Sequence, residues 1–151
     1  MVDDIDTLVV DALLRDGRAS AREIADATGV AATTVSRRMD QLVDVGVIDT
    51  FTPRVNYEPL GYDVSAIFRL SVDGHGLPEL TTRLSERPQI LAVYEVTGSD
   101  DIVAIGRFRT AERMNERIKE LLTDEAVRSV TTSIVLQTVS ECEPLPLDLA
   151  Q

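Results

Sequence analysis

The chain has 151 residues, of which 44% are hydrophobic and 27% charged, a normal globular composition that argues against an intrinsically disordered chain. No apolar run approaches the ~20 residues that a transmembrane helix needs, and the first residues are acidic, unlike the start of a signal peptide. The single cysteine, Cys142, cannot form an internal disulfide. We therefore expect a cytoplasmic protein of one or two small domains.

The protein is strongly acidic, with 26 Asp and Glu residues against 15 Lys and Arg and a formal net charge of −11. Lys119 is the only lysine. This combination is typical of proteins from halophilic archaea or bacteria, whose cytosol contains concentrated salt. At ~1 M ionic strength the Debye length falls to about 3 Å, so repulsion between the protein and DNA is screened. In such a host the charge does not exclude a nucleic-acid partner, whereas in an ordinary cytosol it would be a serious objection.

The first part of the chain has the apolar spacing of short helices. Apolar residues recur every three or four positions over residues 4–15 and predict a helix, which Gly17 would end as a C-cap residue. Ser20 and Glu23 have the spacing of a capping box, which predicts a second helix reaching about Thr28.

Gly29 and the residues after it complete the pattern of a helix-turn-helix, the motif that places its second helix in the DNA major groove. Glycine suits the left-handed turn, and the following helix is expected over about residues 32–45. Its polar face offers hydroxyl, amide and guanidinium groups that can read base edges. The predicted contacts with DNA are Thr33, Thr34, Ser36, Arg37, Arg38 and Gln41.

Arg18, Arg22 and Arg54 are predicted to contact phosphates, which would position the domain without reading sequence. Each of these arginines, like Arg37 and Arg38, has an alternative role as an ordinary surface ion-pair partner.

Residues 48–55 form an extended segment, which Pro53 restricts to an edge or irregular strand. Pro59 and Gly61 follow. We therefore predict a helix-turn-helix domain of winged-helix type over residues 1–50 and a linker or hinge strand over residues 51–62.

The second half changes from helical spacing to the alternating pattern of half-buried strands. The expected elements are a strand over residues 65–73, a helix over 77–87, strands over 90–97 and 101–108, a helix capped by Thr110, and a strand over 127–139. The order βαββαβ predicts a ferredoxin-like α+β domain, over residues 63–141, followed by a C-terminal tail over 142–151.

Fragments from both halves carry a family resemblance through their order and spacing. They are Leu14-Arg15-Asp16-Gly17-Arg18, Ile24-Ala25, Gly29-Val30, Thr33, Arg38, Gly46-Val47-Ile48, Leu60-Gly61-Tyr62, Val96-Thr97-Gly98-Ser99-Asp100-Asp101 and Thr132-Ser133-Ile134-Val135-Leu136. Together they resemble the Lrp/AsnC (feast/famine) transcription regulators over nearly the whole chain. One departure is Ala31, where relatives often have a serine that caps the recognition helix. Loss of that cap should destabilise the helix by about 1 kcal/mol.

The resemblance implies a sequence-specific regulator that binds double-stranded DNA. Its C-terminal RAM domain (regulation of amino acid metabolism) would pair sheets into dimers, which often assemble into octamers. An amino acid or related metabolite would bind between RAM domains near the hairpin turn, with no cofactor or metal. Carried onto this chain, that pocket involves Gly98, Ser99, Asp100, Asp101, Thr131, Thr132 and Ser133. Turn N–H groups and carboxylates suit an amino acid, although these residues could equally just close a hairpin and pair strands.

Two other functions remain open from the sequence. Some Lrp-like proteins are siroheme decarboxylases, but here His75 is the only histidine and cannot build a metal site with the distant Cys142. There is no nucleophile motif either, so we expect no enzymatic activity. The second alternative is a nucleoid-organising protein, although the net acidity disfavours non-specific DNA binding.

Overall fold

The computed structural model describes residues 2–147 and divides into two compact units. The first contains the described residues up to Val55 together with the segment that begins at Ser140, and the second is 56–139. Each unit has its own hydrophobic core. The segment 51–62 is therefore shared between the two units, and the described part of the C-terminal tail belongs to the first.

The first unit contains the three predicted helices, α1 (Asp4–Arg15), α2 (Ala21–Thr28) and α3 (Ala32–Asp44). Both α1 and α2 begin with a reciprocal capping box, in which the N-cap side chain and the third helical residue satisfy each other's backbone N–H groups. Ser20 and Glu23 form the box of α2 as predicted, and Asp3 and Asp6 form a second one at α1. Local sequence alone therefore defines where these two helices begin.

The turns around α3 follow the prediction, and the end of α1 does not. Gly29 has a φ of 76° and makes the left-handed turn into α3, while Ala31 gives α3 no side-chain cap. The C-cap of α1 is Asp16 rather than Gly17, because the chain leaves the helix in an extended conformation with φ at −141°. An extended C-cap does not require glycine.

Four side chains form the centre of the first core: Val9, Ile24, Val35 and Leu42, each no more than 2% exposed. They come from all three helices, so the core fixes α3 against α1 and α2. Met39 is partly buried at the edge of this core.

The expected strand after α3 is not formed within the described residues. Residues 49–57 have no regular structure, and a short 3-10 helix, Glu58–Leu60, follows and ends at Gly61. Pro53 lacks an N–H donor, and no neighbouring strand within this unit offers the segment a ladder of hydrogen bonds.

The second unit contains β1 (Val64–Val72), α4 (Leu77–Ser85), β2 (Ile90–Glu95), β3 (Ile102–Phe108), α5 (Ala111–Leu122) and β4 (Val127–Ile134). The strands form one antiparallel sheet in the order β2-β3-β1-β4, which confirms the ferredoxin-like arrangement. Thr110 caps α5 as predicted. β4 is shorter than expected, since after Ile134 only the Val135 N–H continues the pairing, donating to the Ser65 carbonyl at 2.8 Å.

One face of the sheet packs against α4 and α5. Ala66, Phe68, Leu70 and Val72 alternate along β1 and are at most 3% exposed. They pack with side chains of the two helices, among them Leu80 and Met114. The opposite face, called the open face below, carries the intervening residues of each strand.

None of the helices formed by residues 2–147 combines the length and apolar character required to span a membrane.

Candidate nucleic-acid interface and effector pocket

The outer face of α3 is exposed and polar. Because Val35 and Leu42 point into the core, the residues on the other side of the helix point outward. Four of the predicted DNA-contacting residues are exposed there, namely Thr33, Ser36, Arg37 and Gln41, and Thr34 is half-buried at the edge. Hydroxyl, guanidinium and amide groups are therefore presented together on one helical surface, and these groups can contact base edges.

Arg38 does not belong to this surface, which corrects the sequence prediction. Its Nη2 lies 2.7 Å from Asp3 Oδ2, and its Nη1 donates to Asp6 Oδ1 and Oδ2 at 3.0 and 3.2 Å. The side chain is only 22% exposed. Arg38 thus points back at the start of α1, one residue after the exposed Arg37, and we assign it a structural role.

In the ion-pair cluster formed by Asp3, Asp6 and Arg38, the electrostatics favour the charged forms of Asp3 and Arg38. The Asp3 pKa is lowered, chiefly by the hydrogen bond from the Asp6 backbone N–H and also by the charge of Arg38. Partial burial acts to lower the Arg38 pKa, but the charges of Asp3 and Asp6 outweigh it, so the Arg38 pKa is raised. Asp3 and Arg38 therefore both favour the charged forms in which they pair.

The three predicted phosphate-contacting arginines, Arg18, Arg22 and Arg54, are all exposed in the first unit. Arg54 differs from the other two because its Nη2 lies 2.9 Å from Glu143 Oε1. That hydrogen bond, followed by the charge of Glu143, raises the Arg54 pKa. A phosphate would therefore have to compete with this carboxylate for Arg54.

The hairpin turn between β2 and β3 has the backbone that the sequence predicts. Gly98 has a φ of 123°, and both Gly98 and Ser99 are exposed. Asp101 plays a structural part that sequence reasoning missed. Its Oδ2 accepts from the Val72 N–H at 2.7 Å, and its own N–H donates to the Leu70 carbonyl at 2.8 Å. The carboxylate of Asp101 thus ties the hairpin to β1 instead of standing free for a ligand.

The three predicted pocket residues of β4 do not share one face of the sheet, which corrects their grouping. Thr132 is paired with Phe68 and lies on the helix-covered face, whereas Thr131 and Ser133 lie on the open face. Ser133 accepts a hydrogen bond at 2.9 Å from Arg69 Nη2. Alternation along a strand separates neighbouring residues, so Thr132 cannot line a pocket together with the other two in this unit.

Two stacked arginines were not found from the sequence. The Arg109 guanidinium lies 4.5 Å from the Tyr62 ring centroid and donates to the Leu60 carbonyl at 3.1 Å, while Arg107 lies 5.6 Å from the Tyr57 ring. Such contacts hold the segment around the 3-10 helix against the sheet unit. The alternation of arginine and aromatic residues could have indicated these cation–π contacts. The partners are distant in sequence, however, so the pattern does not show which residues pair.

His75 is exposed in the loop between β1 and α4. Residues 2–147 contain no group of three or more His, Cys, Asp or Glu side chains arranged to hold a metal ion.

A three-helix unit with an exposed polar third helix, followed in sequence by a ferredoxin-like unit, defines a helix-turn-helix transcription regulator. Residues 2–43 match the AsnC-type helix-turn-helix domain, and residues 65–145 match the Lrp/AsnC ligand binding domain. The chain therefore belongs to the Lrp/AsnC family of transcription regulators, as the sequence predicted.

Relatives cover almost the whole chain. It is 38% identical over 140 residues to an uncharacterised HTH-type transcriptional regulator of Pyrococcus horikoshii. The alignment covers 93% of this chain and 95% of that protein. It is 35% identical to the HTH-type transcriptional regulator FL11 of Pyrococcus furiosus, with 97% of each chain covered. The feast or famine regulatory protein of Mycobacterium tuberculosis, complexed with L-methionine, superposes with a TM-score of 0.88 at 27% identity, covering 96% of this chain and 99% of that one.

Proposed function

We propose that this regulator recognises a specific double-stranded DNA site through the outer face of α3. The observation that supports this most strongly is the exposure of Thr33, Ser36, Arg37 and Gln41 opposite the buried Val35 and Leu42. Gln41 suits adenine, Arg37 suits guanine or a phosphate, and the hydroxyls can bond to either type of edge. Arg18, Arg22 and Arg54 are the proposed phosphate contacts, and at Arg54 a phosphate competes with Glu143.

We further propose that the protein works in the salt-rich cytoplasm of a halophilic archaeon. The support is its composition, a net charge of −11 with a single lysine. At ~1 M salt a Debye length of about 3 Å limits electrostatics to direct contacts. Base contacts should then contribute more of the affinity than long-range attraction does.

The open face of the sheet supports self-association. It carries half-buried apolar side chains, Ile67, Val103 and Ile105, between polar residues such as Arg69. We propose that two copies pair through this face and that such dimers can assemble further into octamers. A dimer would place two α3 helices about 34 Å apart, one DNA turn, and so read an imperfect palindrome.

An amino acid is the proposed effector, with no other cofactor. The support is the relative from Mycobacterium tuberculosis, at 27% identity, whose structure contains L-methionine. In this chain the exposed Gly98 and Ser99 and the half-buried Asp100 are the ligand candidates at the hairpin, with Thr131 and Ser133 on the open face. We propose no enzymatic activity; the support is the match of residues 2–43 to a helix-turn-helix domain and the position of the single histidine, His75, in an exposed loop.

The test is selection of binding sites from a random duplex DNA pool by the full chain in about 1 M KCl. We expect a small set of related, imperfectly palindromic sites. Gln41→Ala should relax the preference at one base position in each half-site, by roughly 1–3 kcal/mol. Arg87→Ala, an exposed arginine of the sheet unit, is the matched control and should leave selection unchanged. Recovery of random sequence would contradict the proposal and favour a nucleoid-organising role.

A further inference from the structure

The orientation of α3 about its own axis decides which side chains can reach DNA. Most of the packing that holds α3 is apolar and comes from a small core, in which Val35 and Leu42 face Val9 and Ile24. Apolar contacts are not directional, so they constrain rotation of a short helix less than ion pairs of defined geometry do.

The ion-pair cluster supplies such a directional constraint. Arg38 on α3 reaches two carboxylates that lie 32 and 35 positions earlier in the chain, Asp6 and Asp3, at distances of 2.7–3.2 Å. Asp6 is 6% exposed and is the one buried charged residue among residues 2–147. Its position away from water makes this pairing stronger than an ordinary surface pair.

The two carboxylates are also held by hydrogen bonds that do not involve Arg38. Asp3 Oδ1 accepts from the Asp6 N–H at 2.9 Å, and Asp6 Oδ2 accepts from the Asp3 N–H at 3.0 Å. The reciprocal capping box therefore holds both side chains in one rotamer at the start of α1. Arg38, with its planar fork of donors, binds a rigid and complementary receptor.

We infer that Arg38 is a positioning residue for DNA recognition, whose ion pairs with Asp3 and Asp6 hold the polar face of α3 in its binding orientation. This inference rests on the proposed DNA-binding function. It predicts an unusual direction for the change in DNA affinity. Removing a negative charge from a DNA-binding unit should normally strengthen binding, whereas removing the charge of Asp3 or Asp6 should weaken it.

The experiment compares Asp6→Asn and Asp3→Asn with Asp4→Asn in the full chain, by fluorescence anisotropy on a selected DNA site. Asparagine caps a helix as well as aspartate, so Asp3→Asn keeps the N-cap hydrogen bond of α1. In Asp6→Asn the remaining side-chain carbonyl can still accept from the Asp3 N–H. Asp4 lies exposed in the same helical turn, away from the outer face of α3, and serves as the matched control. We expect Asp6→Asn to bind at least about tenfold more weakly, Asp3→Asn to bind more weakly by a smaller factor, and Asp4→Asn to bind as well as or better than the unsubstituted protein.

A second comparison separates positioning from direct contact with DNA. Arg37→Ala should lower the slope of log K against log salt by about 0.9, the value for one lost phosphate contact, if Arg37 contacts the backbone. Arg38→Ala should weaken binding without changing that slope. Arg38→Lys should fail to restore affinity, because an ammonium group lacks the planar fork that directs one nitrogen to each carboxylate. Circular dichroism at the same temperature and salt confirms that each variant is folded.

The inference is overturned if Asp3→Asn and Asp6→Asn bind as tightly as Asp4→Asn, or if Arg38→Lys retains full affinity while Arg38→Ala loses salt dependence. Should Asp6→Asn fail to fold, Asp3→Asn decides the question, since Asp3 is 47% exposed and pairs only at the rim of the cluster. An unsubstituted protein that selects no DNA would instead refute the proposed function itself.

Discussion

Arg54 and Glu143 form an ion pair across 89 positions of the chain, with Nη2 and Oε1 2.9 Å apart. Both side chains are more than half exposed, so the pair itself adds little stability. The pair matters because it can compete with DNA for Arg54. Arg54 is a proposed phosphate contact, and Glu143 belongs to the C-terminal segment that packs with the helical unit.

Glu143→Gln should therefore strengthen DNA binding. The expected gain is up to about fivefold, because an exposed pair is worth roughly 0.2–1 kcal/mol. Isothermal titration at fixed salt would measure it. In the double variant with Arg54→Ala the gain should disappear. A gain that persists without Arg54 would show that Glu143 acts through general repulsion only.

The capping box of α2 predicts a defined loss of stability. Ser20→Ala removes the acceptor for the Glu23 N–H and should lower the free energy of unfolding of the helical unit by about 1 kcal/mol. Thermal unfolding followed by circular dichroism would show it. Ser20→Asn is the matched control and should be nearly neutral, since asparagine caps equally well. Equal destabilisation by both variants would mean that the box contributes nothing.

Glu23 also predicts how stability depends on pH. Its pKa is lowered from 4.5, first by the hydrogen bond from the Ser20 backbone N–H and then by the Ser20 hydroxyl. A lowered pKa in the folded state means that the stabilisation is complete above the unfolded value and is lost as pH falls through the folded one. Unfolding scans from pH 7 to pH 3 should show this loss below about pH 4.5, and Glu23→Gln should remove that part of the acid dependence. An unchanged acid limb would contradict it.

Asp100 and Asp101 should separate ligand binding from stability. Asp101→Ala leaves the Val72 N–H without its 2.7 Å partner and should destabilise the sheet unit by roughly 1–3 kcal/mol. Asp100→Ala should change thermal stability little, since Asp100 has only a weak 3.4 Å contact with Ser99. If Asp100 binds an effector, the rise in melting temperature that a saturating amino acid produces should be lost in Asp100→Ala. The opposite assignment of the two effects would refute these roles.

L-Methionine is the first amino acid to test as an effector of this protein. A ligand that favours one assembly over another must change its population, so sedimentation velocity with and without L-methionine should show a shift between oligomers. Equal sedimentation and equal DNA affinity across a panel of amino acids would remove the effector from the account.

Local features of the fold were predictable, because helix caps, the left-handed Gly29 and the alternation along β1 are all written in short stretches of sequence. For this reason, the predicted bounds of the helix over residues 4–15 and of the two hairpin strands agree with the observed bounds to within two positions. The order of the sheet followed from a known arrangement of βαββαβ units.

The candidate site was less predictable, because its decisive contacts are tertiary. Arg38 looks like any other cation on a helix, and only its approach to Asp3 and Asp6 removes it from the DNA surface. The one available signal was the pair of aspartates three positions apart at the start of α1. Similarly, the register of β4 against β1 separates Thr132 from Thr131 and Ser133, which a continuous motif could not reveal.

Whether the outer face of α3 reads DNA sequence can be measured as the ratio of the affinities for a selected site and for a scrambled duplex. In about 1 M KCl we expect a ratio of at least roughly 10³ for the unsubstituted protein. Replacing Thr33, Ser36, Arg37 and Gln41 together by alanine should reduce that ratio to near one while the protein stays folded. A ratio near one at the outset, or one that survives the fourfold substitution, would contradict the account.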